Sequence, residues 1–311
     1  MNAKLLVDVH QNFVLGQEAT FRWGSNMRIL LLITAVAATL PLSDASHADA
    51  ACDKLVAALP KLRMSDAKDL AVSTIAGKTY KELFDTCDAH DTFADMPLPS
   101  GRRCSTDKNS VGFIKVFTGS SGTTLVFRAK AAVDVDGSPA SNLGHPNDQT
   151  QTSLKFDKGS KDKSANAEEV PFVVIPRESV KDETGKRIFY NTFFAKDSGA
   201  KPGDLAVAVH KKLCSFGVVG DLGPEFRLGE TSMKTHAELG NPQCDDQHPN
   251  EHPCLHVRNG GDGRGIDGSS VTYIVFPGTR PPKLISQTVV AVTRKASRER
   301  SAKFIAEFAA K

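Results

Sequence analysis

The stretch KPGDLAVAVHKKLCSFGVVGDLGPEFRLGETSMKTHAELG, Lys201–Gly240, decides how this chain reads. Two apolar runs, Leu205 to Val209 and Phe216 to Val219, are rich in β-branched residues and separated by a polar turn, which predicts two paired strands. Asp221 stands where the second strand should end, and Gly223-Pro224 forces a turn directly after it. The chain returns through Arg227-Leu228-Gly229 to Glu230, so a short excursion separates two carboxylates that can face each other across a cleft. Glu230 precedes a short predicted helix, with Thr231 or Ser232 as N-cap and Gly240 as its stop. Turn capping by Asp221 and a helix-dipole role for Glu230 are the structural alternatives. A pair of acids in this setting is what glycoside hydrolysis needs: one protonates the departing sugar oxygen, and the other, ionised, activates water or attacks the sugar.

Strand signals flank this stretch on both sides. Val111 to Phe117 and Leu125 to Val135 are separated by a Gly-Ser turn, Pro171 to Pro176 is an unbroken apolar run, and Val271 to Phe276 is another. Ile188 to Phe194 predicts a further strand, with Tyr190 and Phe193 on opposite faces for core packing or sugar stacking. The second strand runs into Asp134-Val135-Asp136-Gly137, where alternation places both aspartates on one side. Such a run can open a calcium loop, but the closing Glu of an EF-hand-like loop is missing. Gly159 to Ala167 reads as a flexible surface loop, and Asn259 to Ser270 as a glycine-rich rim that lacks the phosphate-loop and dinucleotide fingerprints. From Asp53 to about Asp95 the apolar residues recur at helical spacing, interrupted by Pro60 and Gly77, and Met96 to Ser110 reads as a linker.

The chain has 311 residues and a net charge of +3, balanced enough for an ordinary folded protein. Residues 1–26 carry no core pattern and read as an upstream mis-start. Met27, Arg28, the 12-residue apolar run Ile29 to Leu40 and the Ala48-Asp49-Ala50 cleavage pattern form a secretory signal peptide over residues 27–50. The run is too short to span a bilayer comfortably. The expectation is a secreted protein, extracellular or periplasmic, whose charge after the cut is +4 because residues 1–50 hold three Lys/Arg and four Asp/Glu. All six cysteines follow the cut, and an even count in an exported chain favours disulfides, with Cys244–Cys254 the best single pair.

Around that pair, His248, His252, His256, Cys254, Asp245 and Asp246 crowd together, but Pro249 and Pro253 prevent the helix that would align the histidines on a zinc ion. The reading therefore expects no metal and no cofactor. The segment from Lys283 is basic, with seven Lys/Arg against two Glu, and reads as a tail with a solvated helix.

Seven stretches together resemble one known family: VDVDGSP (Val133 to Pro139), TSLKF (Thr152 to Phe156), PFVVIP (Pro171 to Pro176), GDLAVAVH, FGVVGDLGP, RLGETSM and VTYIVFPG (Val271 to Gly278). The chain from Ile114 to Gly278 resembles the glycoside hydrolase family 75 chitosanases. The resemblance implies a mainly β (α+β) fold built on a mixed β-barrel, with double-psi topology as a candidate arrangement. It also implies endo-hydrolysis of chitosan with inversion by Asp221 and Glu230. The bridge between the acids is shorter than in fungal members, and Thr231 stands where many members have Ala. The working division makes Glu230 the general acid and Asp221 the general base, with Asp134, Asp136, Asp204 and Glu225 as candidate substrate-binding acids.

The domains expected are a helical segment and linker (51–110), a catalytic domain (111–280) and a basic tail (281–311). The expected partner is chitosan or a related amino-sugar polysaccharide, met by a monomer that binds no nucleic acid and has no membrane span. A non-catalytic amino-sugar binding module and a hydrolase of a related cell-wall glycan are the alternatives.

Overall fold

The computed structural model describes residues 49–100, 102–104, 110–142, 149–181, 184–259 and 263–309. The expected upstream extension, and the signal segment up to residue 48, lie outside the described residues. In chain order the elements are α1 (Ala50–Ala58), β1 (Ala67–Asp69), α2 (Tyr80–His90), β2 (Thr92–Phe93), β3 (Met96–Pro97), β4 (Val111–Gly119) and β5 (Gly122–Asp134). There follow β6 (Phe172–Pro176), β7 (Val180–Lys181), β8 (Arg187–Ile188), α3 (Phe194–Ser198), β9 (Leu205–His210), β10 (Leu213–Gly223), β11 (Glu230–Ser232), α4 (Met233–Glu238), β12 (Ile266–Phe276) and α5 (Val289–Phe308).

Six strands close on themselves in the order β5, β11, β6, β10, β9, β12, with β12 pairing back to β5, while β4 and β1 extend the sheet outward from β5. The β11–β5 and β10–β6 pairs are parallel and the other pairs antiparallel. The protein is thus a mixed β-barrel with a few helices, the mainly β, α+β class that the sequence predicts.

Alternation along the strands sorts side chains into two sets. Val126, Val174, Val207, Phe216, Val218, Ile274 and Phe276 share a cluster with α1 and α5. A 20-residue helix cannot sit within six strands, so this is the barrel's outer surface. The opposite set, among them Phe127, Ala129, Ala131, Val173, Ala206, Ala208, Val219 and Tyr273, therefore faces inward. The four alanines leave room there for the stacked Phe127 and Tyr273 rings, 4.6 Å between centroids.

The paired strands β9 and β10, the strands β4, β5 and β6, and the short helix α4 capped by Ser232 lie where the sequence predicts them, while β12 begins earlier than predicted, because Ile266–Ser270, read as part of the rim, is already strand. The departures from the sequence reading have physical causes. The segment from Asp53 to Asp95 is helical only at its two ends, because residues 67–69 pair with β4 instead. Tyr80 and Phe84 of α2 then pack into the inward-facing core cluster, and Thr79 with Glu82 forms its capping box. Of the strand expected over Ile188 to Phe194 only Ile188 is extended, and Phe194 opens α3. Tyr190 takes the core role, packed edge-on against Phe93 and Phe226.

The C-terminal segment departs furthest from its reading. Instead of a solvated helix, α5 lies against β10 and β9, burying Val289, Thr293, Ser297, Ser301, Phe304 and Phe308. These residues follow one another at three- or four-residue steps, so they share one face. Ser297 Oγ donates to Gly217 O at 2.9 Å. Small hydroxyls let the helix approach closely, and a Cβ on Gly217 would lie 2.0 Å from Pro171 O. The loop read as flexible is also part of the core at its end, since Ala165 and Ala167 are fully buried.

Three disulfides join Cys52 to Cys214, Cys87 to Cys104 and Cys244 to Cys254. The first ties α1 to β10 and the second ties α2 to the segment read as a linker. No helix among the described residues is long and apolar enough to cross a membrane.

Candidate active site

Four neighbouring strands put their side chains in one transverse row. Asp221 of β10 and Glu230 of β11 are both in register with Val174 of β6, one on each side, and Glu230 is also in register with Ala132 of β5. Val174 belongs to the outward-facing set, so both acids emerge on the outside of the barrel. Two strand spacings separate them, about 9.6 Å of backbone.

Strict alternation would not do this, because Asp221 has the same parity as the inward-facing Val219. The register shifts between Val219 and Asp221, with Gly220 as the extra residue, and this bulge turns Asp221 outward. A Cβ on Gly220 would lie 2.3 Å from the Phe172 ring, which explains the glycine. The glycine is needed for packing against Phe172 and for the bulge.

Asp134, at the end of β5, and Asp136, just after it, join the row. Oxygen atoms of Asp134, Asp136 and Asp221 lie within 4.8 Å of one another. All three are buried, with relative exposures of 6%, 9% and 3%, while Glu230 keeps intermediate exposure. The expectation that these aspartates line an open cleft is therefore amended: they form a closed acidic layer beside Glu230. Surface hollows of about 630 and 580 Å³ are lined in one case by Ser120, Arg300, Lys303 and Glu307 and in the other by Asp66, Lys68, Ser73 and Asp197; none of the four acids lines either.

Hydrogen bonds give each acid a different environment. Asp221 Oδ1 accepts from Ser153 N (2.8 Å), Leu222 N (2.7 Å) and Ser153 Oγ. Asp136 accepts from Gln149 N at Oδ1 (2.7 Å) and from Gln149 Nε2 at Oδ2 (3.1 Å), and its own N–H donates to Asp134 Oδ1 at 2.7 Å. Burial is the first cause raising Glu230, which reaches about 7, with Asp221 adding to the rise and Arg227, Lys130 and Arg177 opposing it. Burial also pushes Asp136 up to about 8 and holds Asp134 well above the ordinary carboxylate range, with Glu230, Asp221 and Asp136 adding repulsion at Asp134.

The spacing of Asp134, Asp136 and Asp221 would also suit a divalent cation. Four of their six oxygens, however, accept from N–H donors, and a calcium or magnesium ion asks for a shell of oxygen ligands. The arrangement fits carboxyl groups that share protons better than it fits a metal shell.

No protein-family model matches this chain, and no curated protein matches it. The chemistry of the site therefore rests on its own geometry.

Two predicted substrate-binding acids lie elsewhere. Asp204 is 2% exposed and clamps a turn, accepting from Lys201 N at Oδ2 (2.8 Å) and from Thr279 N (2.9 Å) and Arg280 N (3.2 Å) at Oδ1. Glu225 is 1% exposed; Oε1 accepts from Thr192 Oγ1, Oε2 has no partner, and burial pushes the group up to about 8. Neither position offers a surface to a sugar. In the histidine-rich loop each imidazole has its own carboxylate: His248 with Asp245, His252 with Glu168 and His256 with Glu251.

Ser153, Gln149, Arg177 and Arg227 belong to the site without having been singled out in the sequence. Ser153 and Arg227 lie within the quoted TSLKF and RLGETSM stretches, so a signal for them existed. Gln149 and Arg177 sit in loops without periodicity.

Proposed function

We propose that this chain is a secreted endo-chitosanase that cleaves β-1,4-glucosaminidic bonds with inversion. The observation that carries the reading is the shared register of Asp221 and Glu230 on either side of Val174. Inverting glycosidases hold their two carboxyl groups about 6.5–9.5 Å apart, leaving room for a water between base and sugar. A backbone spacing of about 9.6 Å, with both side chains on one face, is compatible with that distance. Glu230, held near 7, keeps its proton in mildly acidic solution and suits the role of general acid. Asp221, fixed by three donors, suits the role of base.

In the proposed reaction Asp221 takes a proton from water as its oxygen bonds to the anomeric carbon. The glycosidic bond breaks, and Glu230 gives its proton to the leaving oxygen. Three disulfides support export, and the local acids offset a net positive charge that would repel a polycation.

The burial of Asp221 favours a second reading in which no acid–base pair is usable, a non-catalytic amino-sugar binding module. Reducing-end release from chitosan separates the two. Turnover by the native protein, lost in Asp221→Asn and in Glu230→Gln, is the expected result. Binding without product in the native protein would establish the second reading. Lys130, Arg177 and Arg227 beside Glu230 favour a hydrolase that tolerates sugars without an ammonium group on that side, a point that chitosans of graded acetylation would test.

A further inference from the structure

Asp136 has no part in the chemistry just described, yet it touches the proposed base. Asp221 Oδ1 is already occupied by the Ser153 and Leu222 donors. Oxygen atoms of Asp136 and Asp221 lie within 4.8 Å of each other, and none of those donors falls on Asp221 Oδ2. Asp136 is itself fixed: Gln149 holds both of its oxygens, and its N–H is anchored on Asp134 Oδ1. Two carboxyl groups in contact cannot both be ionised, so one must carry the proton that joins them. The three donors on Asp221 mark it as the accepting partner.

We infer that Asp136 is the positioning residue of Asp221: fixed by Gln149 and Asp134, its carboxyl donates a hydrogen bond that keeps Asp221 correctly aimed. Among the described residues, the charged groups facing Asp136 are acids, namely Asp134 on β5, Asp221 on β10 and Glu230 on β11, and the cations Lys130, Arg177 and Arg227 gather at Glu230. Burial, reinforced by the charges of Asp221 and Glu230, raises Asp136 to about 8, so the proton stays through neutrality. The inference rests on the reading of Asp221 as a base for its catalytic meaning, but the shared proton can be measured without any turnover.

The test combines pH–rate profiles with a carboxyl ¹³C NMR titration. Asp136→Asn retains an N–H donor toward Asp221 and has no proton to lose. It is expected to stay within about threefold of the native rate near pH 6, and above pH 8 its rate should fall less steeply than the native one. Asp136→Ala removes the donor and is expected to lose about 100-fold in kcat with little change in KM, the scale of a misplaced catalytic group. Native-like activity in Asp136→Ala, or equal damage in both variants, would overturn the inference. In the native protein Asp136 should titrate near pH 8 and move down in Asp221→Asn. Titration in the ordinary carboxylate range would overturn it even in a protein that hydrolyses chitosan. If the native protein leaves chitosan intact, the functional reading fails and the NMR titration alone decides the shared proton.

Discussion

Asp204 and the acidic layer around Asp221 are buried to nearly the same degree, and the barrel treats them in opposite ways. Asp204 is alone, and backbone N–H groups of Lys201, Thr279 and Arg280 surround it, so its charge is answered by fixed dipoles. Asp134, Asp136 and Asp221 are buried together beside the half-buried Glu230 and are answered partly by one another, which makes some of the set hold protons at neutral pH. An isolated, saturated carboxylate builds a turn. A crowded set stores protons that chemistry can use.

The sharpest way to break this contrast is to neutralise one member of each region. Glu230→Gln is expected to lower chitosan turnover by about 10²–10⁴-fold, the scale of a lost general acid, with little change in melting temperature. Asp204→Ala should do the reverse: it strands several buried N–H donors and costs roughly 3 kcal/mol of stability in urea unfolding, while activity per folded molecule persists. Equal effects of the two substitutions on turnover would erase the distinction.

The bulge supplies the next test. Gly220→Ala drives a methyl into Phe172 and is expected to cost roughly 2–3 kcal/mol in the same unfolding measurement, with turnover falling as Asp221 is displaced. A native-like variant would remove the bulge from the account of how Asp221 reaches the outer face.

Glu225 extends the comparison to pH. Its folded value of about 8 lies above the ordinary 4.5, so its contribution to stability is complete below pH 4.5 and is lost as pH rises through 8. Glu225→Gln should flatten that loss in melting curves between pH 5 and 9, and an unchanged pH slope would contradict it. The smallest effect is expected at Thr231, whose side chain turns inward with Val133 and Val173 and whose hydroxyl has no partner. Thr231→Val should raise stability by about 1 kcal/mol, measured by denaturant titration.

The parts legible in the sequence were those written in apolar periodicity. The β9–β10 pair and the all-buried β6 follow directly from unbroken runs, and the Gly-Pro turn places the end of β10 to within two residues, at Gly223 instead of Asp221. The cysteine pair 244–254 was legible because it closes a short loop. The face of α5 was hidden because its middle is Thr293, Ser297 and Ser301, hydroxyl residues that score as polar yet pack as small ones. The roles of Asp204 and Glu225 were illegible for another reason: burial of a carboxylate depends on donors and neighbours far away in sequence, such as Thr279 and Thr192. The candidate pair itself was readable, but its placement on one face was not, since alternation points Asp221 inward and only the bulge at Gly220 reverses it.

The central claim is that two acids flanking Val174 act together on one glycosidic bond with a water between base and sugar. ¹H NMR of the first products released from chitosan tests it most directly, because it reads the anomeric configuration before mutarotation. The account expects the α-anomer to appear first. A β-anomer as the first product, or no new reducing end at all, would contradict it.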